Sequence, residues 1–221
     1  MSTLYSTSSI TSGVSFGWYV PSPDSPNPPE TESIVLPQQT HTSRFGILTN
    51  PRQIFPETDA LVTELKGVAI GIRTADCIPL VAYAPDIEMI AAIHAGWRGT
   101  IGGIAPRTLG HLIAEGADPA RLQVRFGPGI CGDCYEVSPE LADRFTDAGF
   151  GECVRGRHLD LIAANIISLS RLGIPGENIV PPILCTRHSE LTDSAGNPGR
   201  LPSWRRVPGL PDRLITWIRM E

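Results

Sequence analysis

Val68-Ala-Ile-Gly-Ile-Arg-Thr-Ala-Asp-Cys-Ile-Pro-Leu-Val-Ala-Tyr-Ala-Pro-Asp-Ile-Glu-Met-Ile-Ala-Ala-Ile-His-Ala-Gly-Trp-Arg-Gly99 is the stretch that sets the fold class. Three short apolar runs, 68–73, 78–84 and 89–94, follow one another with only brief polar breaks. Runs of this length bounded by Asp, Pro and Gly read as strands, because a core helix would need about ten residues or more. Downstream of Gly96-Trp-Arg-Gly99 the period changes. Residues 100–115 read as a helix, with Thr100 as its cap, Ile101, Ile104, Ala105, Leu109 and Leu112 along it, and Gly116 as its stop.

On either side, strands are expected at 34–36, 60–63, 123–126 and 179–184. Ser138-Pro139-Glu140 marks a second helix start, a cap residue followed by Pro at the first helical position. A third helix is expected over 159–172, ended by Gly173. Strands and helices mix without strict alternation, which favours an α+β domain over a doubly wound sheet. Residues 1–33 are rich in Ser, Thr and Pro and read as an N-terminal segment: an edge strand at 13–19, then a loop over the prolines from Pro21 to Pro29. Residues 34–221 read as a single catalytic domain.

Eighteen basic against 23 acidic residues give a net charge of -5, with no basic stripe, so a nucleic-acid partner is not expected. No apolar run approaches the roughly 20 residues of a membrane span. The first twenty residues lack a basic region followed by an apolar one, and the five cysteines are odd in number. A soluble, cytoplasmic protein with free thiols or metal-ligating cysteines is therefore expected, as monomer or homodimer.

His94 ends the third strand of the opening stretch, Cys77 sits at the break between the first two, and His41 follows the 34–36 strand. Two imidazoles and one thiolate suit a catalytic zinc with its fourth position open. Their spacing alone decides nothing: a strand-end His is commonly just hydrogen-bonded, and a buried Cys is commonly a small hydrophobe.

Ordered motifs add to this. Gln39-Thr-His41, Thr74-Ala-Asp-Cys-Ile-Pro-Leu80, His94-Ala-Gly-Trp-Arg-Gly99, Gly127-Pro-Gly-Ile-Cys-Gly-Asp-Cys-Tyr-Glu-Val137, Leu159-Asp-Leu161 with Ala164-Asn165, Cys185-Thr186 and Ser203-Trp-Arg-Arg206 stand in sequence. Together they resemble the laccase-domain family, once called multicopper polyphenol oxidases and now described as purine nucleoside phosphorylases with adenosine deaminase activity. The resemblance implies a four-layer α/β/β/α domain similar to toxin-type cysteine deamidases. It also implies metal ligands at His41, Cys77 and His94, zinc as cofactor, and purine nucleoside and phosphate as substrates. In this chain Gly17-Trp-Tyr-Val-Pro21 stands where the family has a Ser-Thr-Arg segment, and Thr42 where it commonly has Gly.

With zinc supplying hydroxide at neutral pH, attack on C6 of adenine would deaminate adenosine, and Asp76 is the candidate proton carrier. Arg98, Cys134 and Arg205 are the candidate substrate contacts. Asp76 could equally cap its turn, Arg98 brace its own loop, and Arg205 be structural. Cys131-Gly-Asp-Cys134 lacks the strand-then-helix context of a redox pair, and companions for a second zinc site are not evident, so Cys134 is expected to line the pocket with Cys131 packed beside it. His111, His158 and His188 read as surface residues. Five histidines are too few for a laccase copper set, although copper could occupy the three-ligand site adventitiously. The mechanistic rival is a metal-free Cys/His hydrolase, with Cys77 as nucleophile and His94 as base. A role in editing cell-wall precursors is a further possibility at the level of the family.

Overall fold

In the computed structural model, which describes residues 5–21, 33–193, 196 and 198–221, the chain runs through β1 (Tyr5–Thr11), β2 (Val14–Tyr19), β3 (Ile34–Val35), β4 (Phe45–Ile47), β5 (Ala60–Thr63), β6 (Ala69–Thr74), β7 (Ile78–Ala84) and β8 (Met89–Ala95). It continues through α1 (Trp97–Ile101), α2 (Ile104–Ala114), β9 (Gln123–Phe126), α3 (Pro139–Phe145), the hairpin β10 (Val154–Arg155) and β11 (His158–Leu159), and α4 (Leu161–Ser170). It ends with β12 (Ile179–Val180), the hairpin β13 (Glu190–Thr192) and β14 (Pro198–Arg200), and β15 (Leu214–Met220). The loop expected from Pro21 onward lies, beyond its first residue, outside the described residues.

Two mixed sheets carry the fold. One has the order β1-β2-β15-β6-β3, the other β12-β9-β7-β8-β5-β4. Alternation along β6, β7, β8 and β15 sends Ile70, Ile72, Val81, Ile90, Ala92, Ile218 and Met220 into the seam between the sheets. The opposite face of the six-stranded sheet packs Leu80, Ala82, Ala91 and Ile93 against Ile104, Leu109 and Leu112 of α2 and Leu161, Ala164 and Leu169 of α4. The α+β assignment therefore holds. The fourth layer does not appear among the described residues. The outer face of the five-stranded sheet offers only a small apolar patch, Tyr19, Ala69, Ile215 and Trp217, and Ile34 and Leu36 pack against it where a helix was expected.

Other differences have local causes. The strand expected over 179–184 stops at Val180, because Pro181 and Pro182 remove two successive backbone donors. The helix expected over 100–115 begins earlier, at Trp97, and breaks at Gly102-Gly103, where Gly103 takes φ 73 as the cap of α2. Thr100 lies buried inside α1 and accepts a hydrogen bond from Asn165 Nδ2 at 3.1 Å. The predicted cap at Ser138 forms, accepting from Leu141 N, whereas the helix expected from residue 159 starts at Leu161 with Asp160 as its cap, accepting from Ala163 N. β2 is no edge strand: β1 pairs outside it and β15 inside, so the compositional change at residue 33 does not separate 5–19 from the sheet. No helix among the described residues is long and apolar enough to cross a membrane.

The opening stretch does more than alternate. β6 belongs to one sheet and β7 to the other, so the chain changes sheets within residues 75–77. Asp76 makes that step with φ 89, a backbone conformation that side chains normally avoid. Cys77 is thereby fixed at the end of the seam between the sheets.

Candidate functional site

His41, Cys77 and His94 meet at this point. Their potential ligand atoms all lie within 4.8 Å of one another. Cys77 Sγ stands 3.9 Å from His41 Nε2, and the two imidazoles meet edge to face at 4.9 Å. His94 is delivered by β8, one residue before its end, opposite Pro79 of β7. His41 arrives on a loop and, like Asp76, has a positive φ, 62°. Strained backbone at two positions of one site is tolerated only where surrounding bonds enforce it.

At His41, Asp59 supplies those bonds. Fully buried, it accepts from the backbone of His41 at 3.0 Å and from both the backbone and the hydroxyl of Thr42, at 2.7 and 2.8 Å. Its Oδ1 also lies 2.7 Å from His94 Nδ1. A carboxylate can only accept, so Nδ1 carries a proton, and Nε2 is the nitrogen that can take up or give up a second proton or, once deprotonated, bind a metal. Gln39 holds the same loop from the other side, its amide spanning Arg73 O at 2.8 Å and Arg73 N at 2.7 Å. Gly96 leaves room for the cluster: a Cβ there would meet Cys77 Sγ at 3.0 Å and His41 Cδ2 at 3.1 Å.

The electrostatics follow from this packing. Burial works to raise the Asp59 carboxyl, but the bonds from His94 and Thr42 prevail and hold it at about 2. Burial likewise opposes ionisation of the Cys77 thiol, yet the positive charge of His94 and the bond with His41 bring it down to about 6. Burial pushes His94 toward neutrality, and the Cys77 thiolate with Asp59 carries it up to about 9. Cys77 is thus held as a thiolate at neutral pH, the form that serves as either ligand or nucleophile.

The trio opens on a cavity of about 760 Å³, within the range of small-molecule sites. Asp76, Tyr135, Trp204, Arg73, Arg205 and Arg213 line it with the trio. Asp76 is almost wholly buried: its Oδ1 accepts from the Thr186 hydroxyl at 2.7 Å and its Oδ2 from Arg205 N at 2.7 Å. Arg205 places its guanidinium 4.8 Å from the Tyr135 ring centre and donates to Glu136 O. Arg98 is not part of the lining; it turns back over its own neighbour Trp97, 4.2 Å from the ring centre.

Residues 27–200 match the family described as multi-copper polyphenol oxidoreductase laccase. The chain belongs to that family. A curated relative, adenosine deaminase RL5 of an unknown prokaryotic organism, is 35% identical over 175 residues, covering 72% of this chain and 67% of its own length. Purine nucleoside phosphorylase of Deinococcus radiodurans is 47% identical over 124 residues, covering 54% of this chain and 49% of its own. The chain thus spans about half to two thirds of these relatives. Bacillus licheniformis YfiH, a solved structure, superposes with a TM-score of 0.78 at 23% identity, covering 94% of this chain and 93% of that one, which shows a shared fold.

Within this laccase-family member, two readings of the sequence need correction. Cys134 does not line the cavity; its Sγ lies 3.2 Å from His188 Nδ1, in a cluster that also holds Cys131 and Cys185. Companions for the CxxC pair therefore exist, and His188 is one of them. Asp59 and Trp204, with Arg73, Tyr135 and Arg213 of the lining, are site residues that sequence patterning missed. Trp204 stands inside a motif but carried no assigned role, and Asp59 is a lone acid at the start of a strand with no periodic signal.

Proposed function

We propose that this chain is an enzyme acting on purine nucleosides in the cavity at Cys77, with hydrolytic deamination of adenosine as its principal reaction. The observation that carries the proposal is the convergence of His41, Cys77 and His94 on a cavity of nucleoside size. The names of the two curated relatives support the substrate class. Half-exposed Trp204, at the cavity, offers a face on which a purine can stack. Arg73, Arg205 and Arg213 bring positive charge to the same cavity and suit a phosphate, so phosphorolysis is the companion reaction even without the family's N-terminal arginine.

Zinc fits the trio: one thiolate and two imidazoles, with His94 turned by a buried carboxylate in the manner of oriented metal ligands. When bound, the metal supplies Lewis acidity and makes hydroxide available at neutral pH. The chain's own groups do the rest. Asp59 fixes which nitrogen of His94 faces the cavity. Asp76 handles the proton: the Thr186 hydroxyl on Oδ1 can turn from donor to acceptor when the carboxyl becomes protonated, while Oδ2 stays on Arg205 N.

A metal-free form of the same reading has an observation of its own, and it is at least as well supported. Cys77, His94 and Asp59 stand in the order nucleophile, base and orienting carboxylate, with the thiol already lowered to about 6. The thiolate would add at C6, protonated His94 would give its proton to the departing amino group so that ammonia leaves, and water, losing a proton back to His94, would then displace the sulfur. The free cysteines of the described chain suit a reducing, cytoplasmic setting.

Inosine and adenine formation from adenosine, with and without phosphate, tests the proposal. Removing metal with a chelator, or making His41→Ala, lowers turnover about 100-fold or more in the zinc form. In the metal-free form the rate survives chelation, and alkylation of Cys77 abolishes it. Failure to turn over any purine nucleoside, with or without added zinc, overturns the proposal in both forms.

A further inference from the structure

We propose that Cys131, Cys134, Cys185 and His188 form a second metal site, a closed structural zinc centre that clamps one wall of the cavity. Their ligand atoms all lie within 4.8 Å of one another. Cys134 Sγ is 3.2 Å and Cys131 Sγ 3.9 Å from His188 Nδ1. A tetrahedral zinc with Zn–S of about 2.3 Å and Zn–N of about 2.0 Å has ligand-to-ligand edges of roughly 3.5–3.8 Å. The two separations straddle that range, so small turns of side chains complete the shell. Three thiolates and one imidazole are soft donors in a composition that structural zinc uses, and the group includes no carboxylate that would favour a harder cation.

The surroundings are built for ligands. Cys185 Sγ accepts from Cys131 N at 3.3 Å, Cys185 N donates to Ser189 Oγ at 2.8 Å, and Arg187 Nη1 donates to Cys134 O at 3.0 Å. Such outer bonds orient and tune metal-ligating sulfur. The site joins two segments far apart in sequence, which otherwise meet through the parallel bridge of Gly129 with Cys185.

The place of the site in the fold says what it does. None of its four residues lines the cavity, yet Tyr135 and the Thr186 that holds Asp76 are immediate neighbours in sequence of Cys134 and Cys185. The described part of 181–213 has little apolar anchorage: Ile183 and Trp204 are exposed, and its buried aliphatic side chains are Leu201 and Pro202. A four-ligand metal supplies the cross-link that burial does not. This inference does not depend on the proposed reaction.

Zinc content per chain, measured by elemental analysis on protein purified under reducing conditions and equilibrated with zinc, tests it. The wild type is expected to hold one zinc ion per chain more than either Cys131→Ser or His188→Ala, whether or not the cavity trio, read separately from Cys77→Ser, binds an ion of its own. Replacement with cobalt(II) needs no variant: thiolate-to-cobalt charge-transfer absorption of at least three thiolates is expected in the wild type, against at most one if only the cavity trio binds. A cobalt spectrum of at most one thiolate, zinc content unchanged by both Cys131→Ser and His188→Ala, or a Cys131 disulfide in the freshly purified protein overturns the proposal.

Discussion

The two cysteine–histidine clusters share ligand types and little else. His41, Cys77 and His94 offer three ligands beside a cavity of about 760 Å³, and two positions of that site, His41 and Asp76, are held in left-handed backbone. Cys131, Cys134, Cys185 and His188 offer four ligands, contribute nothing to the cavity lining, and none of the four has a positive φ. Three ligands leave a position open for chemistry, whereas four close the shell. Of the four non-glycine residues with positive φ among the described residues, two, His41 and Asp76, stand where a substrate can reach. At His41 that strain is enforced by buried Asp59, whereas the second cluster is braced by backbone, hydroxyl and guanidinium bonds.

That contrast can be tested from the side of Asp59. Asp59→Asn removes the charged acceptor of His94 and of the 41–42 loop, and it is expected to lower adenosine turnover about 10–100-fold. The metal content of the second cluster should stay unchanged. Loss of metal from both clusters in this variant would erase the distinction between them.

Acid provides a second test. The folded Asp59 carboxyl titrates at about 2, below the roughly 3.9 of an unfolded Asp, so its contribution to stability is present above pH ~4 and is lost as pH falls through ~2. The stability gap between wild type and Asp59→Asn, read by thermal melts, should therefore be level at about pH 5, below the range where His94 and Cys77 titrate, and shrink as the pH falls below ~4. A gap independent of pH would remove the ionised carboxylate from the account.

Smaller effects sharpen the boundary of the cavity. Trp204→Ala should raise KM for adenosine about tenfold with kcat little changed, as loss of a stacking face does. Arg98→Ala should leave KM within about twofold, and should cost at most about 1 kcal/mol of stability through the lost contact with Trp97. A tenfold KM change at Arg98 would restore it as a substrate contact.

Much of this organisation is legible in the chain. The runs that become β6, β7 and β8, the cap at Ser138 and the helix over 161–170 announce themselves through length, period and capping chemistry. β15 does not, although it lies at the centre of its sheet. It is covered on both faces, so Leu214, Ile215, Trp217 and Ile218 form no alternating pattern. Of the site, the ordered motifs bring out His41, Cys77 and His94, but Asp59 is isolated in sequence and works through contacts 17–35 residues away. The second cluster is hidden for a similar reason: the parallel bridge of Gly129 with Cys185, not any local spacing, brings His188 to the CxxC pair. Gly102-Gly103 was read as helix interior because Gly interrupts apolar periodicity without erasing it, while its freedom at φ 73 lets the chain turn there.

The central claim is that purine nucleosides are processed at Cys77. Its most direct test is adenosine turnover by the wild type and by Cys77→Ser, assayed as inosine and ammonia released with zinc present. The account predicts conversion by the wild type and a loss of about 10³-fold or more in Cys77→Ser. Equal turnover by the two proteins would contradict it.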